Sequence, residues 1–149
     1  MTGLLDSSPA ASTGRVLLDA IRTGELPPPP AAELLRLDLE VVGDGLTVFG
    51  FDADPAYGNP GNVHGGILSA VADFAVTTAV WTQVDAGADI VTADLHVSFL
   101  RGISLDGARY QCTGSVLHLG RTQANATAAI TSADGVLHVH ALATCRIRG

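Results

Sequence analysis

From Val91 onward the chain alternates. Val91, Ala93, Leu95, Val97 and Phe99 interleave with Thr92, Asp94, His96 and Ser98. A period of two predicts a strand with one set on the core face and the other outward. Three more strands are predicted over Ala108 to His118, Arg121 to Thr131 and Val136 to Arg146. The last two are joined by Ser132-Ala133-Asp134-Gly135, and Asp-Gly between alternating runs signals a hairpin. Upstream, Leu37 to Val42 and Leu46 to Phe51 flank Gly43-Asp44-Gly45, where glycine reaches positive φ at little cost, so a further hairpin is expected. Between these blocks the run from Asn59 to Trp81 abandons the two-residue period: a glycine-rich turn opens a long apolar segment that predicts a helix. Two strands, a long buried helix and four antiparallel strands describe an α+β domain in which a curved sheet wraps one central helix. One helix cannot cover so much sheet, so the other sheet face or an edge is expected to meet a partner chain.

The N-terminal part reads differently. After the polar, flexible start MTGLLDSSPAAS, a short amphipathic helix is predicted around Val16, Leu17, Ala20 and Ile21, followed by TGELPPPP. Pro27 to Pro30 impose an extended backbone, so residues 1–30 are read as an extension that wraps the domain rather than a second domain, with an SH3-like ligand as a remote alternative. Residues 31–149 form the domain proper, opening on one or two helical turns over Ala31 to Leu35.

With 149 residues and 47% apolar content, the chain can build one sizeable core. A formal net charge of −7 argues against general nucleic-acid or anionic-membrane binding, which needs an excess of cations. All the basic residues are arginine, so an anionic ligand would need a local cluster of them. Cys112 and Cys145 lie far apart in strand-like patterns and read as buried thiols. The start lacks a positive, apolar leader, and no apolar run is long enough to span a bilayer, so a cytoplasmic location is expected.

One acid stands out. Asp73 lies among Val71, Ala72, Phe74 and Ala75, with no Arg or His three or four residues away on either side. A carboxylate in such surroundings carries a desolvation cost, which points to function. It follows the sequence NPGNVHGG, in which His64, Gly65 and Gly66 open the helix.

The run VHGGILSAVADFA, followed by TADLHVSFLR, HLGRTQANATAAIT and DGVLHVHALATC, closely resembles the hotdog-fold thioesterases of the phenylacetate-pathway (PaaI-like) type, also called the acyl-CoA thioesterase 13-like group. The likeness covers roughly Ala31 to Ile147. It implies hydrolysis of an acyl-CoA thioester to a carboxylate and free CoA, with coenzyme A as part of the substrate and no separate cofactor. It also implies a homodimer or dimer of dimers with two equivalent sites per dimer.

The chemistry of the residues agrees with that implication. Backbone N–H groups at the first turn of a helix are free donors at the positive end of the macrodipole, suited to polarising a thioester carbonyl. The resemblance assigns that role to Gly65, with His64 as a contact to the thioester and Gly66 beside them. The bland alternative is that both glycines serve only a tight turn and close packing. Asp73 lies nine positions beyond His64, about 13 Å along a helix axis, so one chain's Gly65 and Asp73 cannot meet at one carbonyl. Two helices antiparallel across a two-fold axis would bring the donor of one subunit to the acid of its mate. Asp73 would then act as nucleophile or as general base.

Thr92 occupies the strand position where the family carries a Ser or Thr that orients the acid or the water, although a polar strand face accommodates threonine anyway. Asn59 departs from the pattern, because the stretch from Asn59 to His64 is one residue shorter than is usual in related sequences. Asn59 still reaches the water through a reshaped turn, Asn62 replaces it, or the contact is missing. For the CoA end the resemblance points to Arg101 and to the turn His118, Leu119, Gly120, Arg121 and Thr122, where a guanidinium can hold phosphate oxygens. The histidines lack zinc-site spacing, and no metal is expected. Phe74 and Trp81 are expected to set the width of the acyl pocket. Two alternatives stand beside the thioesterase reading: a hotdog hydratase or dehydratase, which needs a His paired with an acid, and a non-catalytic acyl-CoA binding module.

Overall fold

The alternating runs become strands, and the long apolar run becomes the helix they enclose. The computed structural model describes residues 12–149, so the expectations for the polar start at residues 1–11 lie outside the described residues. In chain order the elements are α1 (Gly14–Arg22), α2 (Pro30–Leu34), β1 (Asp38–Gly43), β2 (Leu46–Asp52), the short pair β3 (Gly58–Asn59) and β4 (Asn62–Val63), α3 (Gly65–Trp81), β5 (Asp89–Phe99), β6 (Arg109–Leu119), β7 (Gln123–Ser132) and β8 (Leu137–Arg148). The six long strands form one antiparallel sheet in the order β1-β2-β6-β7-β8-β5. This is the hotdog fold, with α3 as its central helix.

Beside the larger Phe49, Phe51, Tyr110, Ile130 and Val139, the inner face of the sheet carries many small residues. Ala124, Ala126 and Ala128 on β7 and Ala141, Ala143 and Cys145 on β8 are buried, as are Cys112 and Gly114 on β6. Small side chains let α3 approach closely, and Gly114 is the limiting point: a Cβ there would lie 2.0 Å from the Ala75 carbonyl oxygen. Thr47 on β2, fully buried, donates to that same carbonyl (3.1 Å) and lies 2.9 Å from Thr78 Oγ1. These contacts hold the middle of α3 at fixed depth and orientation. Burial pushes both thiols up, Cys112 to about 12 and Cys145 to about 11, so both remain protonated core groups.

Helix α3 is nearly all apolar, as a helix covered on most sides must be. Its sheet-facing positions, among them Leu68, Val71, Ala72, Ala75, Val76, Ala79 and Val80, are buried. The stripe formed by Ser69, Ala70, Asp73, Phe74, Thr77, Thr78 and Trp81 is only half-buried. Strand β5 lies at the sheet edge, paired on one side with β8.

In β5 the structure corrects the expected alternation. The register with β8 slips between Thr92, opposite Cys145, and Asp94, opposite Thr144, so Ala93 is an extra residue that bulges outward and is exposed. A bulge reverses which residues face inward beyond it. Leu95, Val97 and Phe99 face inward opposite Ala143, Ala141 and Val139, as expected, but on the other side of the bulge it is Ile90 and Thr92, not Val91 and Ala93, that share their face. The bulge is what turns Thr92 toward the helix.

Candidate active site

The start of α3 is shaped by the segment before it. Asn59 and Asn62 pair across a two-residue turn, Pro60-Gly61, in which Gly61 has φ 92°. Proline followed by glycine at positive φ fits a type II turn, the compact solution for a shortened connection. The ribbon is anchored by Val63 N–H to the Ile103 carbonyl (2.9 Å) and His64 N–H to the Tyr57 carbonyl (2.8 Å). Asn62 bridges to Ser104 and packs on Gly102, whereas Asn59 is exposed and its side chain makes no hydrogen bond among the described residues.

His64 is the N-cap of α3, and its Nδ1 accepts from Gly66 N–H at 2.8 Å. Its carbonyl accepts from Ile67 and Leu68 N–H at 3.0 and 3.2 Å. Of the four orphan donors at this end of the helix, those of His64, Gly66 and Ile67 are satisfied within the chain, by the Tyr57 carbonyl, His64 Nδ1 and the His64 carbonyl. The fourth, Gly65 N–H, faces no acceptor among the described residues. Gly65 lines a cavity of about 260 Å³ together with Val63, Leu68, Phe99, Leu100 and Arg101. The Phe99 ring lies over the helix start, 3.2 Å from where a Gly65 Cβ would be, and is 53% exposed. Sequence reading gives Phe99 only a place on a strand face; its exposure over a helix N-terminus becomes visible only once β5 is registered on α3.

Two turns further along, Asp73 is half-buried, and Thr92 Oγ1 donates to its Oδ1 at 2.5 Å. Thr77 Oγ1 donates to the Asp73 carbonyl at 2.8 Å and fixes the backbone there. One carboxylate oxygen is thus held by a neutral donor, and no salt bridge engages Asp73 among the described residues.

The register across the sheet separates the candidates into two groups. Leu119, Ala124, Cys145 and Thr92 lie in one row, so the turn carrying His118, Gly120 and Arg121 sits at the same end of the sheet as Thr92. Phe99 and Val139 lie toward the other end, where Arg101 N–H donates to the His138 carbonyl (3.1 Å) and Arg101 shares the cavity with Gly65. Each chain brings Gly65 together with Arg101, and Asp73 with Thr92. It does not bring Gly65 to Asp73: eight positions apart on an unbroken helix, they are separated by about 12 Å along its axis. His118, Arg101 and Arg121 are exposed, and Gly120 N–H closes its turn on the Gln123 carbonyl at 2.8 Å. Among the described residues no three His, Cys, Asp or Glu side chains gather at metal-binding distance.

Comparison with known proteins places the fold and the family. The family model described as the thioesterase superfamily matches residues 60–138. A phenylacetic acid degradation-related protein from Ralstonia eutropha JMP134 is 30% identical, with 87% of this chain and 98% of that one covered at a TM-score of 0.78. The PaaI protein of the E. coli phenylacetic acid degradation operon shares the fold at 21% identity and a TM-score of 0.78, covering 92% and 96% of the two chains. A thioesterase from Haemophilus influenzae shares it at 18% identity and a TM-score of 0.77, covering 89% and 90%. No curated protein matches the chain. With more than half its length matched by the family model and a 30% identical relative along most of it, the chain belongs to the thioesterase superfamily as a PaaI-like, hotdog-fold thioester hydrolase.

Proposed function

We propose that the protein hydrolyses acyl-CoA thioesters at sites divided between two protomers, with Gly65 from one chain and Asp73 and Thr92 from its mate. The observation that carries this reading is the pairing of an unengaged Gly65 N–H with a half-buried Asp73–Thr92 pair two turns away on the same helix. Neither half suffices alone for acyl transfer. A two-fold axis beside α3 would make each half complete the other.

Two features favour such an axis. Strand β5 offers an unpaired edge of 11 residues, long enough to template a second copy of itself. The half-buried stripe of α3 runs through Ala70, Asp73 and Thr77, small enough for a second helix to lie close. Antiparallel pairing of β5 with its copy sets the two α3 helices side by side in opposite directions. The mate's Arg121 turn, at the Thr92 end, then lies on the same side as this chain's Arg101, at the Gly65 end. Two guanidinium groups from different chains would hold the phosphates of CoA.

In the reaction, the Gly65 N–H and the positive end of α3 stabilise charge developing on the thioester oxygen. Asp73 takes a proton from the attacking water, or attacks the thioester carbon itself to give a mixed anhydride that water then hydrolyses, regenerating the Asp73 carboxylate. The carbon–sulfur bond breaks, CoA leaves as thiolate and is protonated, and the acyl carbon ends as a carboxylate. Thr92 holds Asp73 Oδ1, leaving Oδ2 for the reaction. His64 caps the helix and keeps Gly66 occupied, so that Gly65 alone is offered to the substrate.

Released thiol measured across a panel of acyl-CoA thioesters tests the reaction; saturable release from at least one member is expected, and binding without release would contradict the proposal. Replacing Thr92 by valine removes a hydrogen bond to a charged acceptor, of the order of 1.5–3 kcal/mol. The expected result is a fall in kcat of about tenfold or more, with Thr92→Ser near wild type.

A further inference from the structure

We infer that the acyl group of the substrate lies in a trough closed by the N-terminal segment, running along α3 from Asp73 to Trp81, and that α1 and the proline run therefore set acyl selectivity. The inference rests on the thioesterase reading above and names what that site takes. Two cavities, of about 260 and 210 Å³, lie on the half-buried side of α3 and share Pro29, Phe74, Thr78 and Trp81. The smaller is also lined by Thr77 and Ile90. Thr77 is the next turn of helix after Asp73, and Ile90 precedes Thr92 on the same strand face, so the trough begins where the Asp73–Thr92 pair ends. The larger continues beneath α1, walled by Leu18, Ile21 and Pro28.

That wall is held in place. Gly14 N–H donates to the Val84 carbonyl at 3.0 Å, and a Cβ on Gly14 would stand 2.4 Å from the Trp81 carbonyl oxygen and 2.5 Å from its ring. Only glycine allows α1 to start this close to the end of α3. Leu18 is 2% exposed, and α1 is seated on the domain along this line. The charged residues that line the trough, Arg22 and Asp38, remain substantially exposed, at 40% and 65%. What is left inside is aliphatic, aromatic and proline surface together with Thr77 and Thr78, whose hydroxyls donate back to the Asp73 and Phe74 carbonyls of their own helix. From Asp73 to Trp81 the helix rises about 12 Å, so an extended medium-length alkyl group reaches α1, whereas an acetyl group stops beside Thr77. The occupant is accordingly an extended apolar acyl chain, and a compact aryl acyl group would fill only the near part.

Trp81 is the one tryptophan of the chain, so its emission reports the trough directly. Titrating the full-length protein with S-octyl-CoA, a thioether that cannot be hydrolysed, is expected to shift Trp81 emission saturably, while CoA alone leaves it unchanged. Kinetics give the second readout. Ile21→Trp fills the trough from α1, and kcat/KM for octanoyl-CoA relative to acetyl-CoA should fall at least tenfold; Ile21→Ala should not lower that ratio. Leu39→Phe, which narrows the same trough from β1, guards against a misfolded α1 variant and should act as Ile21→Trp does. An unchanged ratio in folded Ile21→Trp and Leu39→Phe, or S-octyl-CoA bound by calorimetry with no change in emission, overturns the inference. If no acyl-CoA is hydrolysed at all, the reaction assignment fails, and the emission titration still decides whether the trough holds an acyl chain.

Discussion

Replacing Asp73 by asparagine lowers kcat for thiol release by about 10³-fold and leaves the fold and the oligomer intact. Asparagine has the same shape but cannot accept a proton at neutral pH or attack as a carboxylate, and loss of a positioned acid or base typically costs about 10²–10⁴ in rate. The Thr92 hydroxyl keeps an acceptor, because the amide oxygen can take the place of Oδ1. Asp73 is half-buried and belongs to no salt bridge among the described residues, so removing its charge lifts a desolvation cost rather than orphaning a partner. Thermal unfolding at or above the wild-type temperature, with turnover near background, is the combined signature. Full turnover in a folded Asp73→Asn protein would remove Asp73 from the chemistry.

Gly114→Ala has the largest effect on stability. Its methyl group would stand 2.0 Å from the oxygen and 2.5 Å from the carbon of the Ala75 carbonyl, and both are backbone atoms that no rotamer change can move. Relief requires α3 to lift from β6, which weakens the Thr47 bond to the same carbonyl and carries Asp73 away from Thr92. Overpacking of this kind costs about 1–3 kcal/mol and occasionally more; here, with backbone on the far side, about 3 kcal/mol or greater is expected. Chemical denaturation of the two proteins measures it, and an unchanged midpoint would mean that α3 is not seated against Gly114.

Alternation made the long strands legible, because a half-buried strand writes its face into the sequence, and the central helix stood out as a long apolar run opened by a glycine-rich turn. Alternation did not reveal the bulge at Ala93. A bulge leaves both flanking stretches alternating and only inverts their phase, and Thr92 is polar enough to read as outward on either side. Nor did it place β5 at the sheet edge beside β8, since strand order depends on how the chain crosses the helix. The ribbon formed by Gly58–Asn59 and Asn62–Val63 escaped because two residues per strand carry no period, although Pro60-Gly61 announced the turn. Asp73 was conspicuous as a lone acid, and the likeness to hotdog thioesterases pointed to Thr92, which the structure hydrogen-bonds to it. The trough under α1 was hidden in two segments far apart in the chain, a short amphipathic helix and Trp81, which meet where Gly14 approaches the end of α3.

The divided site is the central claim, and it can be tested by complementation. Gly65→Pro deletes the N–H at the first helical position, which suits proline; the extended backbone of His64, at ψ 133°, suits a following proline, and the exposed Phe99 side chain, 3.2 Å from a Cβ there, must give by a few tenths of an ångström. Removing such a donor typically lowers kcat by about 10²–10³, so Gly65→Pro and Asp73→Asn homodimers should both be nearly inactive. A heterodimer carrying one substitution on each chain, purified through two different tags, has one site that lacks both groups and one that lacks neither. Divided sites predict about half of the wild-type turnover per dimer, recovered from two inactive parents. A heterodimer as inactive as its parents would contradict the account, because it would place Gly65 and Asp73 of the same chain in one active centre.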